Sequence, residues 1–359
     1  MFNRSIALLL VLIVSGASYA HGDERWCYPW NDWTCVPGSP FSVDNVLQIH
    51  DTIGRDGPRF LEASWHETEP VLAFITGWVA GSYYLDVWRH TYVDGFASFV
   101  GSEEPIIHDP SFTKLTVTSD KIVVGTRAGN LLFWDLEQEK FLYELPVIDG
   151  WVSELLLHPS DEWLLAVIDY AKLFRIDLKT QTVAEITLQD SGVGDFNALA
   201  FSSDGLLLAA AGNAALGIWD TDSWKAWESR PLSADSAEVL IFADDDSELL
   251  TISYASVNRW SISDKGLHFV RKLQPYEGRR NCFINDGDIS PDGTLLMTTD
   301  DCGQTRAWNL SADVEVFIPQ LDFSEAFFQG EVIQFSPDGR VLFVGGAIGW
   351  DHFIIHEPE

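Results

Sequence analysis

Positive charge is scarce in this sequence. Only 22 Lys+Arg stand against 54 Asp+Glu, a formal net charge of −32 over 359 residues. The eight lysines are scattered and form no extended run with arginine. A nucleic-acid backbone demands a basic footprint, so nucleic acid is excluded as a partner. The same imbalance repels an anionic membrane surface. Long apolar runs are missing too: the N-terminal one covers residues 6–14, whereas a bilayer span needs about 20. Catalytic signatures are equally sparse. No Gly-x-Ser-x-Gly elbow, phosphate loop or Gly-x-Gly-x-x-Gly turn occurs, and the nine His show no paired spacing for zinc. The four Cys form no Cys-x-x-Cys pair, which speaks against a thiolate metal site.

What is present points to β structure. Fifteen Trp and 22 Phe against two Met suit a pleated, half-buried surface. With 46% apolar and 21% charged residues the chain can bury a core and is not a disordered polymer. The first twenty residues are set apart. Arg4, the apolar run 6–14 and the small residues Ser18 and Ala20 read as a signal peptide, cleaved after Ala20. His21, not Cys, directly follows that point, so no lipid anchor is expected there. The sequence therefore predicts an exported protein, periplasmic or extracellular, with no membrane insertion after cleavage. Export also permits disulfides.

From residue 43 a unit of about 44 residues recurs. An apolar strand leads to an acidic corner, a second apolar strand and a small-residue turn follow, and an aromatic-rich strand closes the unit. The corners are Ser202-Ser203-Asp204-Gly205, Ser290-Pro291-Asp292-Gly293 and Ser336-Pro337-Asp338-Gly339, with weaker copies at Thr118-Ser119-Asp120, Pro159-Ser160-Asp161 and Asp244-Asp245-Asp246. The closing residues are Trp88, Trp134, Ile176, Trp219, Trp260, Trp308 and Ile354, spaced 41 to 48 residues apart. Outer strands are read at 139–145, 182–188, 267–273 and 313–318.

Trp134-Asp135 and Trp219-Asp220, each ending an apolar strand, together with the three full corners, resemble the WD-repeat family as a divergent exported member. Trp260-Ser261 and Trp308-Asn309 are near misses, and the family's inter-blade Gly-His pair is absent. The resemblance implies an all-β fold: a seven-bladed β-propeller of four-stranded antiparallel blades over residues 43–359. Only five residues follow Ile354, so the strand 43–50 is expected to complete the last blade and close the ring. Proximity and this fold pair Cys27 with Cys35 and Cys282 with Cys302. The segment 21–42 then becomes an aromatic-rich stapled piece, read as a plug beside the closing strand.

In such a propeller the inter-blade loops and the second turns share one face. That places Trp78, Arg127, Trp151, Tyr170, Phe196, Tyr254, Asp301 and Trp350 together, a composition suited to a protein-binding hot spot. Seven residues before each corner Asp lie Glu154, Asn197, Glu238, Asn285 and Glu331, with Thr113 as the weakest copy. They are expected to ring a central channel, where converging oxygens suit calcium. The leading expectation is a non-enzymatic protein- or peptide-binding scaffold without a cofactor. One alternative is a calcium-dependent propeller hydrolase of the lactonase or esterase type with its site at that ring, where the metal would polarise a substrate oxygen. Another is a glycan binder using Trp26, Trp30 and Trp33.

Overall fold

The computed structural model describes residues 26–27, 35–36, 49–51, 54–55, 59–69, 71–78, 82–93, 96–101, 107–108, 111–188, 192–212, 215–231, 237–243, 245–263, 266–273, 282–302, 304–312, 314–316, 330–339, 341–346 and 349–355. All regular structure among them is β-strand. The expected leader 1–20, most of the segment 21–42, including Trp30 and Trp33, and residues 43–48 of the expected closing strand lie outside the described residues. The chain divides into two compact units, Met1–His108 with Asp288–Glu359, and Asp109–Gly287.

Within Asp109–Gly287 four antiparallel blades follow one another, each hydrogen-bonded in chain order. The second blade comprises Phe112–Val117, Lys121–Thr126, Asn130–Asp135 and Lys140–Pro146. The third comprises Val152–Leu157, Trp163–Ile168, Lys172–Asp177 and Val183–Ile186. The fourth comprises Ala198–Phe201, Leu207–Ala211, Ala215–Asp220 and Ala226–Pro231. The fifth comprises Val239–Ala243, Glu248–Ser253, Ser256–Ser263 and Gly266–Leu273.

In the other unit the first blade comprises Arg59–Trp65, Val71–Trp78, Ser82–Val93 and Phe96–Gly101, with Ile107–His108 added against the third strand. The sixth, whose first strand Ile284–Ile289 begins in Asp109–Gly287, continues through Leu295–Asp300 and Thr305–Asn309 to Val314–Val316. Gly330–Phe335, Val341–Gly346 and Gly349–Ile355 make a sheet with Ile49–Asp51 and Gly54–Arg55, both paired to Gly349–Ile355.

Seven equivalent four-stranded blades are therefore not what the chain forms. Consecutive strands build six blades, not seven: five have four strands and the first has five. The remaining sheet is a five-stranded composite of the two ends of the described chain. The reason lies in the pairing: Gly349–Ile355 is met along one edge by Ile49, opposite Ile355, and by Gly54, opposite Trp350, so residues from far earlier in the chain join this sheet. Far to the N-terminal side, Trp26–Cys27 pairs with Cys35–Val36 and sets Cys27 directly opposite Cys35.

The repeat has a physical basis in register. Each closing residue sits on a third strand, opposite an aliphatic residue near the start of the second: Trp88 faces Leu72, Trp134 faces Ile122, Ile176 faces Leu164, Trp219 faces Leu208, Trp260 faces Leu249, Trp308 faces Leu296 and Ile354 faces Val341. All seven aliphatic partners are buried. Such cross-strand pairs are the unit of sheet stabilisation. In three blades the ladder to the outer strand slips at the tryptophan, between Phe133 and Trp134, Ile218 and Trp219, and Arg259 and Trp260. The bulge lets Trp134 and Trp260 meet Phe141 and Phe269 edge to face, at 5.6 and 5.3 Å. In the fourth blade the Trp219 ring lies over Gly217, where a Cβ would come within 2.3 Å of it.

Second strands are buried nearly throughout because both faces are covered. In Trp163–Ile168, for example, Leu164, Ala166 and Ile168 pack with Val123, Leu131 and Phe133 of the second blade. Trp163, Leu165 and Val167 instead pack with Leu199, Leu208 and Trp219 of the fourth. Ala209, Ala211 and Ile218 carry the same arrangement on to Leu240 and Leu249. In the other unit Leu72 and Phe74 pack on Val332 and Phe343.

The acidic corners are locked by side chains. Ser202, Ser290 and Ser336 are buried; each donates its hydroxyl to Asp204, Asp292 or Asp338 at 2.6–2.7 Å and accepts from Leu207, Leu295 or Val341 N–H at 2.9–3.0 Å. Gly205, Gly293 and Gly339 follow in the left-handed region. In the third and fifth blades aspartates take that backbone conformation instead, Asp161 at φ 57° and Asp246 at φ 63°. Their carboxylates reach the preceding corner. Asp161 accepts from Ser119 N–H at 3.1 and 3.2 Å, and Asp246 from Ser203 N–H at 2.9 and 3.0 Å. His158 bridges the third corner to the fourth, its Nε2 3.1 Å from the Gly205 carbonyl and its ring stacked on Trp163. These ties run from the second blade to the fifth, in place of an inter-blade Gly-His device. In the other unit Asp288 accepts from Phe335 N–H at 2.8 Å.

Candidate binding face

The third blade turns from its second to its third strand at Ile168-Asp169-Tyr170-Ala171, closed by Ala171 N–H on the Ile168 carbonyl at 3.0 Å. Both central residues are left-handed, Asp169 at φ 52° and Tyr170 at φ 59°. This is the hairpin turn whose second position normally takes glycine. A tyrosine there costs about 1–2 kcal/mol of backbone strain. The surroundings hold it. Tyr170 N–H donates to the buried Ser153 hydroxyl at 2.9 Å, and Trp151 N–H donates to Asp169 Oδ1 at 2.8 Å. Asp169 N–H returns a bond to the Trp151 carbonyl at 2.8 Å. The outcome is an edge-to-face pair, Trp151 with Tyr170, ring centres 5.5 Å apart, with 42% and 38% of their surface open to solvent.

A second pair is built two blades on. Tyr254 occupies the turn between Ser253 and Ser256 in the fifth blade, and Phe283 immediately precedes the first strand of the sixth. Their rings meet edge to face at 6.0 Å and remain 50% and 48% exposed. Ile284 N–H donates to the Tyr254 carbonyl at 2.8 Å, as Phe196 N–H does to the Tyr170 carbonyl at 2.5 Å. The Tyr254 hydroxyl hydrogen-bonds Glu238. Its pKa is raised above 10.0, first by burial and then by the Glu238 carboxylate, with Tyr170 close enough to add to the effect. Glu238 N–H, immediately before Val239–Ala243, donates to the Ile252 carbonyl at 2.8 Å, close to the turn that carries Tyr254.

The other residues singled out from sequence fall differently. Phe196 is buried with Trp163 and Trp219 and presents no ring. Arg127 is exposed in the second blade's turn, its N–H donating to the Ser111 carbonyl at 2.8 Å. Asp301 is half-buried after Leu295–Asp300. Trp78 and Trp350 lie at strand ends, opposite Ser82 and Gly345, and their side chains are outside the described residues. Cys282 and Cys302 are both disulfide-bonded. Phe283 was not singled out, although it holds the position before a first strand that Trp151 holds in the third blade.

At least two of the five residues expected to form the oxygen ring have other partners. Glu154 is paired with Lys114, 3.4 Å away, and accepts from Leu155 N–H at 3.1 Å. Glu238 is engaged by Tyr254. Asn197, Asn285 and Glu331 are half-buried at or near the starts of their first strands. Among the described residues, no trio of acidic, His or Cys side chains that includes any of these glutamates gathers within 4.8 Å.

No protein-family model matches the sequence. No curated protein is similar to it in sequence. Among solved structures the chain resembles the β-propeller domain of Cps50 (Swd1) from Myceliophteria thermophila, with a TM-score of 0.66 and 14% identity over 84% of this chain and 97% of that one. The fold is a WD-repeat-like β-propeller. At 14% identity the likeness concerns the fold alone.

Proposed function

We propose that this propeller is a non-enzymatic binding platform for a protein or peptide, exported by its leader, and that Trp151, Tyr170 and Tyr254 form the docking face. The observation that carries this reading is Tyr170. A left-handed tyrosine in a glycine position, held by two backbone ties and displaying a ring, is strain that the fold does not need. Exposed, rigid aromatics in adjacent pairs are the usual anchors of protein interfaces.

The test is panning of phage-displayed random peptides on the mature protein and on Trp151→Ala/Tyr254→Ala. Both rings are about half exposed, so the variant is expected to keep its melting temperature. The reading predicts an enriched peptide family whose retention drops at least tenfold on the variant. Equal enrichment on both proteins, or none on either, would reject it.

A further inference from the structure

We infer that the sixth blade binds one water molecule in its interior, held between the hydroxyls of Thr299 and Thr305. These residues stand directly opposite each other, near the end of Leu295–Asp300 and at the start of Thr305–Asn309. Side chains opposed across an antiparallel pair share one face, with Cβ atoms about 4.5–5.5 Å apart. Both threonines are buried, at 0% and 7% exposure, and neither hydroxyl has a hydrogen-bond partner among the described residues. Two hydroxyls that each lie about 2.8 Å from one water oxygen span such a gap. Buried polar atoms in native folds are almost always hydrogen-bonded, so this pair calls for a partner.

The repeat shows what is particular to the sixth blade. The pair lies three residues inward from the closing pair, Leu296 with Trp308. In blades one to five the equivalent pair carries no hydroxyl. It is Ile75 with Leu85 in the first, Val167 with Leu173 in the third and Ile252 with Val257 in the fifth, all buried. Blades one to four place leucine on the third strand here, and Thr305 is smaller, so the sixth pair can admit a small guest. The adjoining turn keeps its own donors occupied. Cys302 and Gln304 N–H both donate to Asp300 Oδ1, at 2.9 and 2.8 Å, and Asp300 N–H donates to the Gln304 carbonyl at 3.1 Å. Water fits the pair better than an ion does. Each hydroxyl offers a donor and acceptor lone pairs without charge, which water matches, whereas an ion would find no counter-charge in two threonines. Two polar partners are also enough to hold a buried water.

A high-resolution crystal structure is the direct test. The expected result is a single water within hydrogen-bond reach of both Oγ1 atoms; hydroxyls bonded to each other with no water between them would overturn the inference. Denaturant midpoints of Thr299→Val, Thr305→Val and the double variant test it in solution. Each single substitution leaves the water with one hydroxyl and should lower the midpoint. The double variant expels the water and rebuilds the apolar pair of the other blades, so its midpoint should return to that of the parent or rise above it. Thr298→Val is the control. Its hydroxyl is just as buried and also without a partner among the described residues, but adjacent residues of a strand point to opposite faces, so its effect should add to that of Thr305→Val. Additive effects of Thr299→Val and Thr305→Val, of either sign, would mean that no shared guest links the two hydroxyls and would overturn the inference.

Discussion

The Asp246 carboxylate receives the Ser203 N–H at 2.9 and 3.0 Å, and the Ser203 hydroxyl at 2.5 Å, across 43 residues of sequence. One side chain thus fastens the fifth corner to the fourth, and its left-handed backbone aims it there. The tie is partly solvated, so its removal should cost about 1 kcal/mol. Alanine adds backbone strain at φ 63° and glycine does not. Thermal melts of the three variants are expected to rank Asp246→Asn above Asp246→Gly, with Asp246→Ala lowest. Equal melts for Asn, Gly and Ala would show that the tie carries no stability.

His158 and Gly205 form a second tie that leaves no room for a side chain. A Cβ at Gly205 would lie 2.3 Å from His158 Nε2, and the backbone there is at φ 72°. Gly205→Ala should destabilise by about 2–3 kcal/mol from strain and overpacking together. Part of that loss is steric, so His158→Ala should recover some of it in the double variant. Denaturant midpoints of the four proteins in the cycle provide the check.

Tyr170 sets stability against binding. Tyr170→Gly relieves the left-handed strain and is expected to raise stability by up to about 1 kcal/mol. It removes the Trp151 ring partner, so peptide retention should fall even as the melt improves. A Tyr170→Gly protein that melts lower than the parent would place the tyrosine in the fold rather than at an interface.

Two carboxylates give the pH dependence its sign. Asp86 and Asp288 are both raised from 3.8 to about 6 by burial, against the lowering effect of Thr76 on the first and of the Phe335 and Ile289 N–H groups on the second. Asp288 keeps some accessible surface as a residue while its carboxyl is embedded, and the carboxyl governs its titration. A folded pKa above the unfolded one means that the native state binds more protons between pH 3.8 and about 6. Their stabilising contribution is complete below 3.8 and is lost as pH rises through about 6. Asp177, Asp204 and Asp220 act oppositely, because hydrogen bonds from Thr180, Leu206 and Ser223 lower their pKa values, and their contribution fades in stronger acid. The melting temperature should therefore climb by on the order of 2–5 °C from pH 7 to pH 5. Asp86→Asn/Asp288→Asn should flatten that rise.

Calcium should leave the melt unchanged. The Lys114 ammonium beside Glu154 already neutralises one expected ligand, and Glu238 is engaged by Tyr254. Melting in EDTA and in millimolar calcium is expected to give the same midpoint. A rise that disappears in Glu154→Gln would reopen the metal-dependent alternative.

Much of this architecture is written in local order. The corner Ser-x-Asp-Gly spells its own hydrogen bonds, since the serine and aspartate of Ser202–Asp204 or Ser336–Asp338 lie within one turn. The closing residues from Trp88 to Ile354 mark third strands because a partner such as Ile122 or Leu208 lies in the same hairpin. Expected outer strands at 139–145 and 267–273 match Lys140–Pro146 and Gly266–Leu273 within a residue. The expected closing strand 43–50 shares Ile49 and His50 with the strand paired to Gly349–Ile355, but that sheet also takes in Gly54–Arg55, which no repeat spacing marks.

For the candidate face the sequence alone determined the turns, and therefore which aromatics lie in them. Turn chemistry is set by a few neighbouring residues, so Trp151, Tyr170 and Tyr254 could be found by position. Tertiary structure decided which rings stay outside. Phe196 is buried in the cluster that holds Trp163 of the third blade with Leu199 and Trp219 of the fourth, whereas Phe283 stays exposed against Tyr254. It also decided charge. Lys114 neutralises Glu154 and Tyr254 holds Glu238 only because residues 40 and 16 positions apart are brought together, and a contact made through space leaves no periodic trace along a chain.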